Sequence, residues 1–507
     1  MDHRSVWLAT SELPQYSLLE EDITVDIAVV GAGLVGLTTA LLAQRDGARV
    51  AVFEAASIGD GTTGNTTGKV TSQHSLIYAD LIDRHGEDTA RRYAEANQAG
   101  VEKVAELAAE FAVDCDLTRA PAFAYTCRSD QRGRIEAEVE AATRLGLPAA
   151  LTDQVDLPFD IEAAVRFENQ IHFHPGRYLA GMAQVVTGGG GLVFDRTRVT
   201  TVAEQRDRTV ELTTPAGTVR ANQVVIATLL PPGLIGGYFV KTRPSRSYAL
   251  AARLRGPAPE GMAICVDSPT RSTRPWLVPG ANGLIVVGNG HETGEEPDTE
   301  AMFADLEDWT RSTFEVEAID YRWSAQDYTT PDRIPYVGRS PLSHMVLVAT
   351  GFQKWGLSNG TAAAMMLADL VAGRDNPWLP AFDAIRIGDA HTVGRLIKDN
   401  LTVGKELLGR LGHTETVPIA NLEPGHGGLV DMDGKRVGAY RDPDGNLHTV
   451  STTCTHLGCP LHWNPAETSW DCRCHGSRFD ADGSILNGPA VQPLQQHRPA
   501  DEEADDH

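Results

Sequence analysis

Val25-Asp-Ile-Ala-Val-Val30-Gly31-Ala-Gly33-Leu-Val-Gly36 is the stretch on which the fold turns. An apolar strand runs into glycines spaced G-x-G-x-x-G, and a helix of small residues follows to about Asp46. Gly47 closes that helix, and Arg49-Val-Ala-Val-Phe-Glu54 reads as a second strand ending in a carboxylate 23 residues after Gly31. Gly31 permits the tight turn, Gly33 lets the backbone approach a pyrophosphate, and Gly36 lets the helix pack on the strand. The helix start then offers N–H groups and a positive dipole to phosphates. Glu54 is placed to accept from a ribose diol and to repel a 2′-phosphate. The unit predicts a dinucleotide-binding α/β domain.

Around it, the chain has 507 residues, enough for about three domains at roughly 150 residues each. Lys plus Arg is 44 against 68 Asp plus Glu, a formal charge of −24, which with no basic stretch excludes a nucleic-acid binder. Hydrophobic residues at 42% and charged residues at 22% exclude a chain disordered as a whole. Residues 1–22 are polar and acidic, unlike a secretory signal. No apolar run approaches the roughly 18 residues of a membrane span. The expectation is a cytoplasmic protein with no membrane span.

Helical patterning returns over 86–110, 131–145 and 298–313, and short strands over 191–199, 209–214 and 219–228. Residues 342–350 read as an apolar strand, and 351–360 as a loop feeding a helix that ends near Gly373. Gly288-Asn-Gly290 also follows a strand, but His291-Glu-Thr-Gly294-Glu-Glu-Pro297 cannot open a phosphate-binding helix. It reads as a turn, and no NAD(P)H site is expected. Cys115, Cys127 and Cys265 are scattered and read as small buried apolar residues.

Two further segments bear on which dinucleotide is bound. Val224-Val-Ile-Ala-Thr228 is a small-residue strand end, and Ala349-Thr-Gly351-Phe-Gln-Lys-Trp-Gly356-Leu-Ser-Asn-Gly360 opens a late helix. At these residues the chain resembles the FAD-dependent amino-acid and amine oxidoreductases, the D-amino-acid oxidase and glycine oxidase group, over about 25–380. The resemblance implies FAD contacts at Gly31, Gly33, Gly36, Glu54, Ala55, Val199, Thr228, Gly351, Phe352, Gly356, Leu357 and Ser358. The loop Gly61-Thr-Thr-Gly-Asn-Thr-Thr-Gly-Lys69 corresponds to one lying along pyrophosphate and flavin in that group, which adds Thr66, Thr67 and Lys69; a plain surface loop is the other reading. Substrate-side candidates are Lys69, His174, Tyr248, Lys354 and Trp355, with packing or capping roles equally open for Tyr248, Trp355 and His174. No catalytic base is assigned, because this chemistry needs positioning more than acid–base groups.

The remaining four cysteines lie in Cys454-Thr-His456-Leu-Gly458-Cys459-Pro460 and Cys472-Arg-Cys474-His475-Gly476-Ser477. Each loop supplies a thiolate and an imidazole. Zinc could use such a Cys2His2 set, but it needs neither the second cysteine in each loop nor the adjacent glycines. A Rieske [2Fe-2S] centre takes two Cys on one iron and two His on the other. Over about 417–497 the chain resembles Rieske domains, which implies Cys454 and Cys472 on one iron, His456 and His475 on the other, and a Cys459–Cys474 disulfide. Asn487-Gly488-Pro489-Ala490 corresponds to the third covering loop. Arg473 replaces a common proline, and Phe479 stands where high-potential members often carry tyrosine. His172-Phe-His174, the only close upstream histidine pair, has no ligand-like partner in sequence for a second iron. His174-Pro175 instead reads as a strand end entering a helix with Pro175 near its first position.

The expected fold is an α/β FAD-binding Rossmann-type domain with an α+β substrate domain, then an all-β Rieske domain. The oxidoreductase spans 1–380, with FAD-binding parts about 25–80, 180–230 and 335–380 and a substrate domain about 81–179 and 231–334. A bridging helix and linker follow over 381–416, the Rieske domain over 417–500 and an acidic tail over 501–507. Function is expected to be oxidation of a small-molecule amine or amino acid to an imine. Electrons would leave singly through a cluster whose histidine edge faces an external ferredoxin- or cytochrome-like acceptor. Two alternatives stand beside it: electrons entering through the cluster from such a donor, and a redox sensor or carrier without catalysis. The substrate-covering segment 230–335 is superfluous to a carrier.

Overall fold

The computed structural model of the protein describes residues 2–386, 416–432 and 434–497. Of the bridging helix and linker expected over 381–416, residues 387–415 lie outside them, and the tail 501–507 lies outside them entirely. Two compact units are formed.

The first unit holds a sheet in the order Tyr336–Arg339, Val346–Thr350, Thr218–Ile226, Ile23–Val30, Val50–Phe53, Leu192–Phe194. Ile23–Val30 pairs in parallel with Thr218–Ile226 on one side and Val50–Phe53 on the other. Strand order reverses there, and ligands of open α/β sheets bind beyond the strand C-termini at such a point. Leu34–Arg45 packs on this sheet because Gly36 has no Cβ; a Cβ there would sit 1.8 Å from the Gly31 carbonyl oxygen. The late helix Gly356–Val371 is rich in alanine and buried along most of its length. It packs against Leu34–Arg45 and Glu87–Glu110.

A second, nine-stranded sheet contains the order Val316–Thr329, Arg243–Leu254, Ala281–Glu292, Arg271–Val278, Met262–Cys265, Thr118–Thr126, Ala163–His172, Lys69–Val70. The helices read over 86–110, 131–145 and 298–313 are Glu87–Glu110, Arg132–Arg144 and Thr299–Thr313. The strand read over 342–350 begins only at Val346, because Leu342 is an exposed turn residue at φ +62°. Gly288-Asn-Gly290 is no turn: it lies inside Ala281–Glu292, where Asn289 takes φ +54° without ending the strand. Cys115 is buried as expected, Cys265 is half-buried, and Cys127 is exposed.

The second unit joins the residues from 416 onward to two excursions of the upstream chain, Leu230–Arg246 and His291–Met302. The sequence boundaries assigned both excursions to the substrate domain. The unit contains two four-stranded sheets: Val417–Pro418, Gly427–Met432, Lys435–Arg441, Leu447–Val450, and Leu461–Asn464, Ser469–Cys472, Arg478–Asp480, Ile485–Asn487. The first of these sheets begins at Val417, and Gly427 and Gly428 pair with Tyr440 and Ala439.

Candidate functional site

The strand Ile23–Val30 delivers Gly31 at φ +105°, where a Cβ would lie 2.6 Å from the Ala227 carbonyl oxygen. Gly33 is the N-cap of Leu34–Arg45 in extended backbone and has no side chain to cap it, while Leu34 N–H reaches Thr63 Oγ1 at 3.3 Å. A Cβ at Gly33 would meet only Thr63 Oγ1 within 4 Å, so the approach to the helix start is open. Uncapped N–H groups behind a turn without side chains fit a pyrophosphate. Glu54, at the end of the neighbouring strand, accepts N–H bonds from Ala32 at 2.9 Å and Ala56 at 3.1 Å. Burial raises its carboxyl above the usual range, and those amides oppose the shift. Ala55 is half-buried beside it, Val199 is buried, and Arg198, also missed in the sequence, places its charge in the field of Glu54. Thr228 follows the strand Thr218–Ile226 and is half-buried.

A second uncapped helix start belongs to Gly356–Val371. Gly351, Gln353 and Lys354 all lie at positive φ, +82°, +56° and +70°, and two of them are not glycine. Such backbone persists only where neighbours over-determine it. Gln353 N–H bonds the Tyr328 carbonyl at 3.0 Å, and Lys354 N–H is bound by the Asp327 carboxylate. Burial pushes Asp327 up to about 6. Lys354 Nζ donates to Ser247 Oγ at 2.8 Å; the residue is exposed, and desolvation by the protein around it holds its ammonium below the usual range.

His74 was not anticipated. It is fully buried and stacks on Trp355, ring centres 4.9 Å apart. Its Nδ1 meets Tyr93 Oη at 2.7 Å, and its Nε2 lies 2.9 Å from Ser358 Oγ and 2.8 Å from the Thr71 carbonyl. Desolvation brings its pKa down to about 3, so the ring is neutral. It fixes Trp355 and the first turn of the helix together. Phe352 and Leu357 are buried in the main core of this unit.

The other candidates have partners within the protein. Lys69 Nζ is held by Ser272 Oγ and by the Ala263 carbonyl at 3.1 Å, and burial brings its pKa down to about 7. Thr66 and Thr67 present their carbonyls to Trp7 Nε1 at 2.6 Å and Arg274 Nε at 2.7 Å. His174 caps the helix Pro175–Gly188: its Nδ1 accepts from Arg177 N–H at 3.3 Å and its Nε2 meets Thr10 Oγ1 at 3.0 Å. Tyr248 is buried with its ring edge against Phe303. His172 Nδ1 accepts from Arg274 at 2.9 Å.

In the second unit the two Cys–His loops are built alike. Gly458 N–H bonds the Cys454 carbonyl and Gly476 N–H the Cys472 carbonyl, each at 2.9 Å. Cys454 N–H bonds the Cys459 carbonyl and Cys472 N–H the Ser477 carbonyl, each at 2.8 Å. Both glycines take φ +78°, a left-handed turn that explains the glycine beside each ligand. The Cys454 and Cys472 thiols share a hydrogen bond, and backbone amides of both loops point at their sulfurs. Cys459 and Cys474 are joined in a disulfide, and the Cys472 sulfur lies within 4.8 Å of both. His456 and His475 stand edge to face, ring centres 5.1 Å apart, and His456 Nδ1 is buried with no hydrogen-bond partner. Adjacent buried thiols beside a buried imidazole nitrogen fit an iron–sulfur cluster. The histidine edge, expected to face outward, is partly covered: Phe239 lies edge to face with both rings, His475 is buried and His456 half-buried. Arg473, the residue in the proline position, pairs with Glu295 at 3.2 Å.

A nucleotide-receiving sheet and a Cys–His cluster site in one chain define an FAD-dependent oxidoreductase of the amino-acid and amine oxidase type that carries a Rieske centre. Residues 26–370 match the FAD dependent oxidoreductase family and residues 414–498 the Rieske [2Fe-2S] domain. The chain belongs to that oxidoreductase family, its cofactors are FAD and a [2Fe-2S] cluster, and it is an enzyme. It is 35% identical over 97% of its length to a Bacillus subtilis protein named as a Rieske 2Fe-2S iron-sulfur protein, YhfW, covering 96% of that protein. It is 26% identical over 73% of its length to the gamma-glutamylputrescine oxidoreductase of Escherichia coli, covering 90% of it. Glycine oxidase from Geobacillus kaustophilus shares the fold at TM-score 0.61 and 17% identity, over 72% of this chain and 99% of that one. Among the described residues no helix is long and apolar enough to cross a membrane.

Proposed function

We propose that the protein dehydrogenates the C–N bond of an amine or amino acid to an imine, and that electrons leave one at a time through the Rieske centre. The observation that carries this reading is the presence in one chain of an amine-oxidase-type FAD fold and a complete Cys–His loop pair. The names of the E. coli relative and of the fold neighbour, an amine-conjugate oxidoreductase and a glycine oxidase, support the substrate class.

FAD would be held by Gly31, Gly33 and Gly36 at its pyrophosphate and by Glu54 at its ribose, with Ala55, Val199 and Thr228 alongside. Bound there, FAD supplies two-electron acceptance from a C–H next to nitrogen and one-electron release. The uncapped start of Gly356–Val371 offers its dipole to negative charge arising on reduction. Lys354 and Trp355 form the substrate side: the ammonium attracts a substrate carboxylate, and the indole, fixed by His74, bounds the pocket. Asp327 holds the Lys354 backbone in its left-handed conformation and thereby aims that side chain. Cys454 and Cys472 would hold one iron, His456 and His475 the other.

The test is anaerobic incubation of the FAD- and cluster-loaded protein with a panel of amines and amino acids, scoring flavin bleaching and the aldehyde or keto acid released by imine hydrolysis. Bleaching with stoichiometric carbonyl product is expected for at least one class. Inertness to the whole panel, together with reduction of an organic substrate when a ferredoxin supplies electrons, rejects the direction proposed.

A further inference from the structure

The segment from Leu230 to Lys241 belongs by sequence to the oxidoreductase, and Gly233 stands five residues after Thr228. It packs within the second unit. Gly233, at φ +58°, uses both of its backbone groups there. Its carbonyl lies 3.1 Å from His456 Nε2, and its N–H bonds the Pro489 carbonyl at 2.8 Å, in the third covering loop. Phe239 then sets its ring 4.9 Å from the His456 ring and 5.0 Å from the His475 ring, edge to face in both cases. One strap therefore touches both imidazoles and the loop that closes over them.

The strap is anchored at its far end. Arg246 is fully buried and ion-paired to Glu467, which also takes Arg478 at 3.0 Å, and Arg478 is bound to Asp471 at 2.8 Å. The second excursion locks in separately, through Thr299 Oγ1 to Asn464 Oδ1 at 2.7 Å. Nothing in a cluster domain that serves only a diffusing carrier calls for such an arrangement. The Nε2 side of the histidines is where an outside protein would dock.

We propose that the 230–241 strap occupies the histidine edge of the cluster site, so that an external redox carrier does not dock there. An external carrier exchanges electrons at another face. This rests on the assignment of His456 and His475 as cluster ligands made above, and it replaces the outward-facing edge expected from the sequence.

Diethylpyrocarbonate, which acylates an imidazole nitrogen that has lost its proton, tests it on the oxidised, cluster-loaded protein under mildly alkaline conditions, where ferric iron favours loss of the outer N–H, with site-resolved mass spectrometry and exposed His426 as reference. In the wild type, His456 and His475 should react about tenfold or more slowly than His426, a ratio set by opening of the strap. Phe239→Ala should raise both rates by roughly tenfold while cluster absorbance is kept, the factor for losing a contact of about 1.4 kcal/mol. If both histidines of the wild type react as fast as His426 with the cluster intact, the edge is open and the proposal falls, whether or not Phe239→Ala folds. Because no amine is added, this outcome is separate from the amine-oxidation reading. If the loaded protein shows no Rieske signal in electron paramagnetic resonance, the ligand assignment itself fails.

Discussion

Ser477→Ala should lower the reduction potential of the cluster. Ser477 is fully buried, its Oγ accepts Ala490 N–H at 3.1 Å, and its hydroxyl also bonds the Cys454 sulfur. With the oxygen engaged by Ala490, the hydroxyl proton is the group free to point at that sulfur. Reduction adds negative charge to the centre, so a donor to a ligand sulfur favours the reduced form. If the bond is worth about 1 kcal/mol more in that form, its loss shifts the midpoint by roughly 40 mV for one electron. Phe479→Tyr is the converse change. Phe479 is fully buried in the core that contains Cys454, Cys459, Cys472 and Cys474, and a tyrosine hydroxyl there should raise the midpoint by a comparable amount. Protein-film voltammetry reads both. A Ser477→Ala midpoint that stays put or rises, with the cluster intact, refutes the donor assignment.

Glu54→Ala removes a carboxylate that both orders the Ala32 amide of the glycine turn and faces the ribose position, so FAD affinity should fall by about 1.5–3 kcal/mol. Titration of apoprotein with FAD measures it, and unchanged affinity would remove Glu54 from the ribose. Lys69 has a folded-state pKa of about 7, below its ordinary 10.5, so between those values the folded protein binds fewer protons than the unfolded one. Stability from this group therefore rises with pH across that window, by up to about 1.4 kcal/mol per pH unit. Urea midpoints at pH 7.5 and 9.5 should show the wild type gaining on Lys69→Met, and parallel shifts would mean Lys69 titrates normally. Cys454→Ser should remove the cluster while FAD remains bound, because the glycine turn and Glu54 lie in the other compact unit. Flavin and iron content of the purified variant decide it, and loss of both cofactors would show that the first unit depends on the cluster.

What was legible in the sequence was local. Gly31, Gly33, Gly36 and Glu54 announce themselves because a turn, a helix start and a strand end need those residues at those spacings. Cys454, His456, Cys472 and His475 do so because each pair sits in one six-residue turn closed by a glycine at φ +78°. What was not legible depends on contacts between distant segments. His74 lies 284 residues from Ser358, and nothing near it in sequence says that its ring supports Trp355. Asp327 becomes meaningful only when the 351–355 loop is laid against the strand that ends at Thr329. The strap was hidden for the same reason: nothing in the sequence around Gly233 announces its contacts with His456 and Pro489. Lys69 was singled out by the loop it stands in, and its ammonium bonds a sheet hydroxyl, whereas the helix start read at His174-Pro175 is the one that His174 caps.

Stopped-flow mixing of the fully loaded, oxidised protein with an amine that bleaches its flavin tests the central claim most directly. Flavin absorbance should fall first and cluster absorbance afterwards, and in Cys454→Ser the first phase should persist while turnover with a one-electron acceptor collapses. A cluster that stays oxidised through substrate turnover, or a cluster-free variant that turns over at the wild-type rate with that acceptor, would contradict it.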